Sequence, residues 1–347
     1  MIPVQNIYHM LSYAFQVLNE QSYKSIATEQ FQNTAELMAA ILEKGITVQI
    51  KRGLGKEYIS QTEELSSLRG KIDIAESIKT RMVLRKKLVC TYDEFSVNEI
   101  MNRIIKSTVE LLLRSNISKQ RKKKLKKLMV YFGDVSSIDL YTVNWNVQYN
   151  RNNQTYRMLI SICYLVVNGL LQTNSDGNTK LMDFLDEQRT YRLYEKFILE
   201  YYRKEYKQLT VNASRIPWQL DDDVDNMLPV MQSDIMLQQG DTVLIIDAKY
   251  YEHSTQVQYD KHTLHSSNLY QIFTYVKNKE YELRDKEHKV SGMLLYAKTD
   301  ETIYPDYIYR MSGNQITVRT LNLNLPFADI AKQLDEIAEM HFGITRG

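Results

Sequence analysis

Cysteine is scarce in this chain, with only Cys90 and Cys163 among 347 residues. They lie at no metal-ligand spacing and make no disulfide framework, which argues against a zinc module or a stapled secreted scaffold and fits a reducing, cytoplasmic compartment. An excess of one charge is also missing. Lys and Arg number 44 against 42 Asp and Glu, a net charge of +2. Overall charge therefore does not drive the chain onto DNA or membrane, and any nucleic-acid contact must come from local patches. There is no long apolar run. The longest, near MLISICYLVVNGLL at 158–171, is too short to span a bilayer and carries Ser161 and Asn168. The N-terminus MIPVQN lacks the basic and apolar regions of a signal peptide. GLGKE at 53–57 is no P-loop, because its first Gly lies too close to the Lys and no Ser or Thr follows. What is present is a 44% hydrophobic composition, enough for real cores in two or three domains, and 25 tyrosines.

The most informative stretch is PVMQSDIMLQQGDTVLIIDAKYY, residues 229–251. Two apolar runs flank Gly240-Asp241, a two-residue loop that signals a β-hairpin. With that loop, opposed residues have numbers summing to 481, so Asp234 faces Asp247 and Lys249 points to the same side. Ile235, Leu237, Leu244 and Ile246 fall on the other face as core. Two adjacent carboxylates in an apolar sheet repel, and like charge plus desolvation raises a pKa. A divalent cation resolves this, and oxygen ligands suit Mg²⁺, with Lys249 to orient or deprotonate a water or hold a phosphate oxygen. A solvated hairpin with incidental charges is the plain alternative. The spacing is the D…DAK form of the PD-(D/E)xK nuclease signature, departing from it in that Ser233, not proline, precedes Asp234; the nearest proline is Pro229.

The fold class expected is α+β, a restriction-endonuclease-like αβββαβ core preceded by a small β-rich domain and a helical region. Residues 1–95 form the mixed or β-rich domain, 96–178 the helical region and 179–347 the nuclease domain. Apolar spacing predicts a helix over 3–19 with Asn6 as N-cap and another over 34–44 ending at Gly45. The alternating segment from Ile46 reads as β-rich. Helices follow from about 96, with a loop and short strand at 132–155 and a buried helix at 155–171. QTNSDGNTK at 172–180 reads as the linker to the last domain. That domain comprises a helix at 181–206, strands at 208–218, 228–238 and 242–251, a helix at 265–279, strands at 290–297 and 314–322, and a last helix from Pro326, placed at N1, to Gly343. The basic run KQRKKKLKKL at 119–128 is by default a solvated helix face, with DNA backbone contact as the alternative.

Around the acid pair, Glu195 on the first core helix is a candidate for a further metal contact, with Glu200 a rival on a different face. Gln271 and Tyr275 stand at i and i+4, one helix face, after the catalytic Lys. This QxxxY arrangement recurs in one nuclease branch, where it lines the active site. His265 near a helix start reads as an N-terminal hydrogen-bonding residue, and His253 and His262 show no ligand geometry.

Taken together, IPVQNIYHMLSYAF, KRGLGKEY, LRGKIDIAESIKT, FSVNEIMNRIIKST, LPVMQSDIML, VLIIDAKYY and HSSNLYQIFTYV resemble the McrC family, the nuclease subunits of McrBC-type modification-dependent (5-methylcytosine) restriction systems. The resemblance implies a partner, an McrB-like AAA+ ring that binds and hydrolyses GTP, engaged through the N-terminal and helical regions and stimulated by this chain. It implies cleavage of double-stranded DNA with Asp234, Asp247 and Lys249 as catalytic positions. Asp234, Asp247, the Ala248 carbonyl and Glu195 would hold Mg²⁺, and Gln271 and Tyr275 would assist. Arg52 and Arg69, in Gly-flanked loops, are candidates for reaching the GTPase, with ordinary surface roles as the alternative. Two further readings stay open: a non-catalytic activator of an AAA+ GTPase, and a stand-alone QxxxY-type nuclease.

Overall fold

The computed structural model describes every residue except 1, 21–22, 152, 176–186, 223, 251–255, 259–260 and 299–303. The chain folds as two units, one of residues 35–177 and the other of 1–34 with 178–347. This differs from a division at 95. The N-terminal helices α1 (Val4–Ala14) and α2 (Lys24–Ala27) belong with the C-terminal half of the chain.

The unit of residues 35–177 is built on α3 (Thr34–Arg52), which runs straight through Gly45. The segment from Ile46 looked like a strand, but Leu42, Gly45, Ile46 and Gln49 are its buried positions, a helical repeat that overrides one weak glycine. A three-stranded antiparallel sheet follows, from β1 (Glu57–Leu65), β2 (Lys71–Asp73) and β3 (Leu88–Ser96), with α4 (Ile74–Lys79) between the last two. Then come α5 (Ile100–Arg114), α6 (Lys119–Met129) and α7 (Tyr156–Ser175). Among the described residues of 133–155 there is no strand, contrary to expectation. One buried network ties the β-rich and helical parts together, which is why no boundary falls near 95. The Gly55 N–H donates to Tyr156 Oη (2.6 Å), that hydroxyl donates to Asn102 Oδ1 (2.7 Å), and Asn102 Nδ2 donates to the carbonyls of Gly55 and Val97. Arg52 is exposed at the end of α3, and Arg69 lies 4.0 Å over the Tyr92 ring.

In the other unit, α8 (Glu187–Glu205) leads into a six-stranded sheet. Chain order gives β4 (Thr210–Asn212), β5 (Arg215–Ile216), β6 (Met231–Gln232), β7 (Ile235–Gln239), β8 (Thr242–Lys249), β9 (Gln256–Gln258), β10 (Lys261–Thr263), α9 (Ser266–Glu282), β11 (Lys289–Ala297), β12 (Tyr307–Met311), β13 (Asn314–Leu321) and α10 (Phe327–Phe342). The sheet order is β12-β13-β11-β8-β7-β4, with β11 parallel to β8 and β13. The expected αβββαβ order is present as α8, β4, β7, β8, α9 and β11. The hairpin partner β12 was not expected. Pro326 is the N-cap of α10, one position before the expected N1. The expected linker ends α7 at 172–175; its remainder, 176–180, lies outside the described residues, as does the expected start of α8.

The sheet is apolar on both faces. Val243, Ile245, Leu294 and Ile316 pack with Ile272, Tyr275 and Val276 of α9. Gly292 on β11 lets α9 approach, since a Cβ there would stand 2.8 Å from both Ile272 and Val276. The other face holds Ile235, Leu237, Leu244, Ile246, Met293 and Leu295, all buried. Many of the tyrosines serve this unit's interior. Tyr194, Tyr201 and Tyr202 are fully buried, yet their hydroxyls donate to the carbonyls of Leu295, Ala331 and Leu334, so burial costs no unpaired polar group. Asn6, expected as a cap, instead donates from Nδ2 to the carbonyls of Leu323 and Leu325 at 2.8 Å each. With Tyr13 bonded to Glu205 and His9 stacked on Phe327 at 4.4 Å, it secures α1 to this unit. Among the described residues no helix is long and apolar enough to cross a membrane.

Candidate active site

The β7–β8 hairpin turns at Gly240-Asp241, where Gly240 has φ +57°, a conformation favouring glycine. Its register pairs Ile235 with Ile246 and Leu237 with Leu244, each sum being 481. Asp234 and Asp247 are the next step along. Strand pairing stops there because the preceding chain changes partner. Ser233 N–H donates to the carbonyl of Ser214 (3.0 Å) and β6 pairs with β5. A proline at 233 would forfeit that bond. The Ala248 N–H then donates to Asp234 Oδ2 at 2.9 Å, so Asp234 folds over the end of β8.

Asp247 is 1% exposed, and neither of its carboxylate oxygens has a hydrogen-bond donor. Lys249 Nζ lies 2.8 Å from Asp247 Oδ2, a buried ion pair. The same ammonium donates to Gln271 Oε1 (3.3 Å), and Gln271 Nε2 donates to Tyr275 Oη (2.9 Å), so α9 contributes both residues one turn apart. From α8, Tyr191 donates to Asp234 Oδ2 at 3.4 Å, and its ring lies 5.8 Å from Lys249 Nζ. Asp234, Asp247, Lys249, Gln271, Tyr275 and Glu195 thus converge. Glu200 does not; it pairs with Arg203. His265 is the N-cap residue of α9 without a side-chain cap bond, and His253 lies outside the described residues. Tyr191 went unrecognised in the sequence, although it lies four residues before Glu195 and shares its helix face, and Ser233 reads there only as a departure from the signature.

Burial pushes the Asp247 carboxyl up to about 7, against the pull of Lys249. Burial, and then the charge of Glu195, raise Asp234 to about 7, and burial raises Glu195 as well. The cluster is thus short of positive charge by more than Lys249 supplies. Among the described residues no three His, Cys, Asp or Glu side chains already form a cage. The donor set is instead the Asp234–Asp247 pair with Glu195 beside it, and these carboxylates fit a hard cation that takes one or two of them and completes its shell with water and phosphate.

A family model described as McrBC 5-methylcytosine restriction system component matches residues 4–297. The Type IV methyl-directed restriction enzyme EcoKMcrBC of Escherichia coli (strain K12) is 28% identical over 342 residues, covering 97% of each chain. Among solved structures, similarity extends to a refined half-complex from the tetradecameric assembly of Thermococcus gammatolerans McrB AAA+ hexamers with bound McrC, at 18% identity and TM-score 0.49, over 96% of this chain and 76% of that one. It extends also to the cryo-EM structure of the Thermococcus gammatolerans McrBC complex, at 20% identity and TM-score 0.40, over 58% of each.

Proposed function

The chain belongs to the McrBC 5-methylcytosine restriction system component family, and from that premise we propose that it is the nuclease subunit of such a system, hydrolysing phosphodiester bonds of double-stranded DNA with a divalent cation, Mg²⁺. The observation that carries this reading is the meeting of Asp234 and Asp247 beside Lys249 at the end of β8, with Asp247 buried and its carboxylate 2.8 Å from the ammonium. Asp234, Asp247, the Ala248 carbonyl and Glu195 would hold the ion. When bound, the ion supplies the positive charge that offsets the phosphate's negative charge as phosphorus is attacked. Lys249, held between Asp247 and Gln271, orients a water by donating from Nζ. Gln271 fixes Lys249 and is itself fixed by Tyr275. Tyr191 holds Asp234 from α8 before an ion arrives.

A GTP-hydrolysing AAA+ ring like the McrB of the Thermococcus assembly is the proposed partner, with GTP bound there and not by this chain. This chain has no nucleotide motif of its own. The test combines the chain with methylated or unmethylated DNA, Mg²⁺, GTP and the partner ring, and compares wild type with Asp247→Ala. Cutting is expected only with the full set. The variant should fall to about one-thousandth of the wild-type rate or less, the scale of losing one group that manages transition-state charge, with GTPase stimulation retained. Undiminished cutting by the variant would sink the assignment, and cutting without GTP or partner would favour a stand-alone nuclease.

A further inference from the structure

The basic run at 119–128 is left unused by the site. It forms α6, capped by Ser118, whose side chain accepts from the Arg121 N–H. Its inward face is fixed. Leu125 is fully buried, and the buried Arg121 pairs with Glu43 and, at 3.3 Å, with Glu36. Lys124 also pairs with Glu43, at 3.3 Å. The remaining lysines are not scattered. Lys119, Lys122, Lys123, Lys126 and Lys127 recur at i, i+3, i+4, i+7 and i+8, and at 100° per residue they occupy an arc of about 140°. Four of the five are exposed and Lys122 is half-buried. No Asp or Glu occurs between Glu110 and Asp134, and among the described residues none of the five is in an ion pair.

This arrangement works against the helix that carries it. Cations three and four residues apart repel, and Lys119 and Lys122 sit in the first turn, where the helix dipole disfavours positive charge. A solvated face needs no such concentration, least of all in a chain with a net charge of +2. A polyanion turns the repulsion into attraction. The stripe is about 12 Å long at 1.5 Å per residue, and the same length of duplex carries about seven phosphate charges. The apolar face is occupied by the protein's own core, so α6 has no free apolar face to embed in a lipid surface.

We propose that the Lys119–Lys127 stripe of α6 is a sequence-independent binding surface for the phosphate backbone of double-stranded DNA, separate from the cutting centre. The choice of DNA over other polyanions rests on the nuclease reading above. The test uses the full chain in EDTA with a 40-base-pair duplex, measuring Kd from 50 to 200 mM NaCl. Replacing Lys119, Lys123, Lys126 and Lys127 by Gln should weaken binding by about a hundredfold at 50 mM and flatten the log–log salt slope by about 3.6, at roughly 0.9 for each phosphate no longer neutralised. The Lys→Arg version should bind as wild type, and the Gln version should melt no lower than wild type, because repulsion is removed. An unchanged Kd and slope would overturn the proposal. So would lysine-dependent capture on phosphatidylserine vesicles without DNA binding, or a Gln variant that loses DNA only because it unfolds while the Arg version loses it too. Asp247→Ala should keep the wild-type slope. A chain that never cuts but keeps the lysine-dependent slope removes the nuclease reading and spares this one, and a chain that cuts with a lysine-independent slope does the reverse.

Discussion

Each unit of the molecule hides an acid whose carboxyl is pushed up to about 7, and the two acids do opposite things. In the unit of residues 35–177, Glu99 caps α5 by accepting from the Met101 N–H (3.2 Å), while its Oε1 is buried without a partner. Apart from the charge of Glu57 it faces the neutral Gly55–Asn102–Tyr156 network, so one proton satisfies it. Asp247 is as deeply buried, but Asp234 and Glu195 crowd it and Lys249 stands 2.8 Å away. One proton cannot satisfy three carboxylates. Burial alone therefore perturbs a titration. It is the crowding of like charges around a lysine, at the point where a strand loses its backbone partner, that separates a site from a cap.

The contrast breaks most visibly through pH. Glu99 has an ordinary value near 4.5 and a folded value of about 7. Its contribution to stability is therefore full below 4.5 and is lost as pH rises through 7. The loss should be on the order of 2–3 kcal/mol, and Glu99→Gln, which mimics the protonated acid, should remove it. Urea unfolding at pH 5 and pH 8 for both proteins measures the difference, and equal pH dependence in the two would place the carboxyl in water. Next in size is the response to metal. With Mg²⁺ at about a hundred times its Kd, wild type should gain about 2.7 kcal/mol. The gain should grow from pH 6 to pH 8 as the aspartates shed their protons. Glu99→Gln should keep this shift in melting temperature and Asp234→Ala should lose it; a shift surviving in the Asp234 variant would place the ion elsewhere. The smallest effect belongs to Tyr191→Phe. Its 3.4 Å bond to Asp234 is long, so deletion of the hydroxyl should weaken Mg²⁺ by a few-fold, about 1 kcal/mol. Calorimetric titration that finds no change would reduce Tyr191 to packing.

The hairpin was legible because its signals are local. A turn glycine sets the register, and strand alternation carries it to Asp234, Asp247 and Lys249. Gln271 and Tyr275 followed from helical spacing. What stayed hidden depends on partners far along the chain. Asn6 looks like a cap until its acceptors at 323 and 325 are known. Ile46–Ile50 alternates like a strand, and only burial along α3 shows the helical repeat. Ser233 looks like a lapse from the nuclease pattern, and only its bond to Ser214 gives its N–H a purpose. The basic run shows no single face in sequence, and only the inward pairing of Arg121 with Glu36 and Glu43 reveals which lysines are left to form a stripe.

The attachment of α1 has a temporal consequence. The carbonyls that receive Asn6 are made more than three hundred residues later, so on the ribosome the first helix must wait, its apolar stripe uncovered, until nearly the whole chain has emerged. Residues 35–177 have all their own strands and helices well before then. A stretch that precedes residues 35–177 in sequence is thus among the last to find its place, and removing it would destabilise the unit that contains residues 178–347 rather than the unit it precedes.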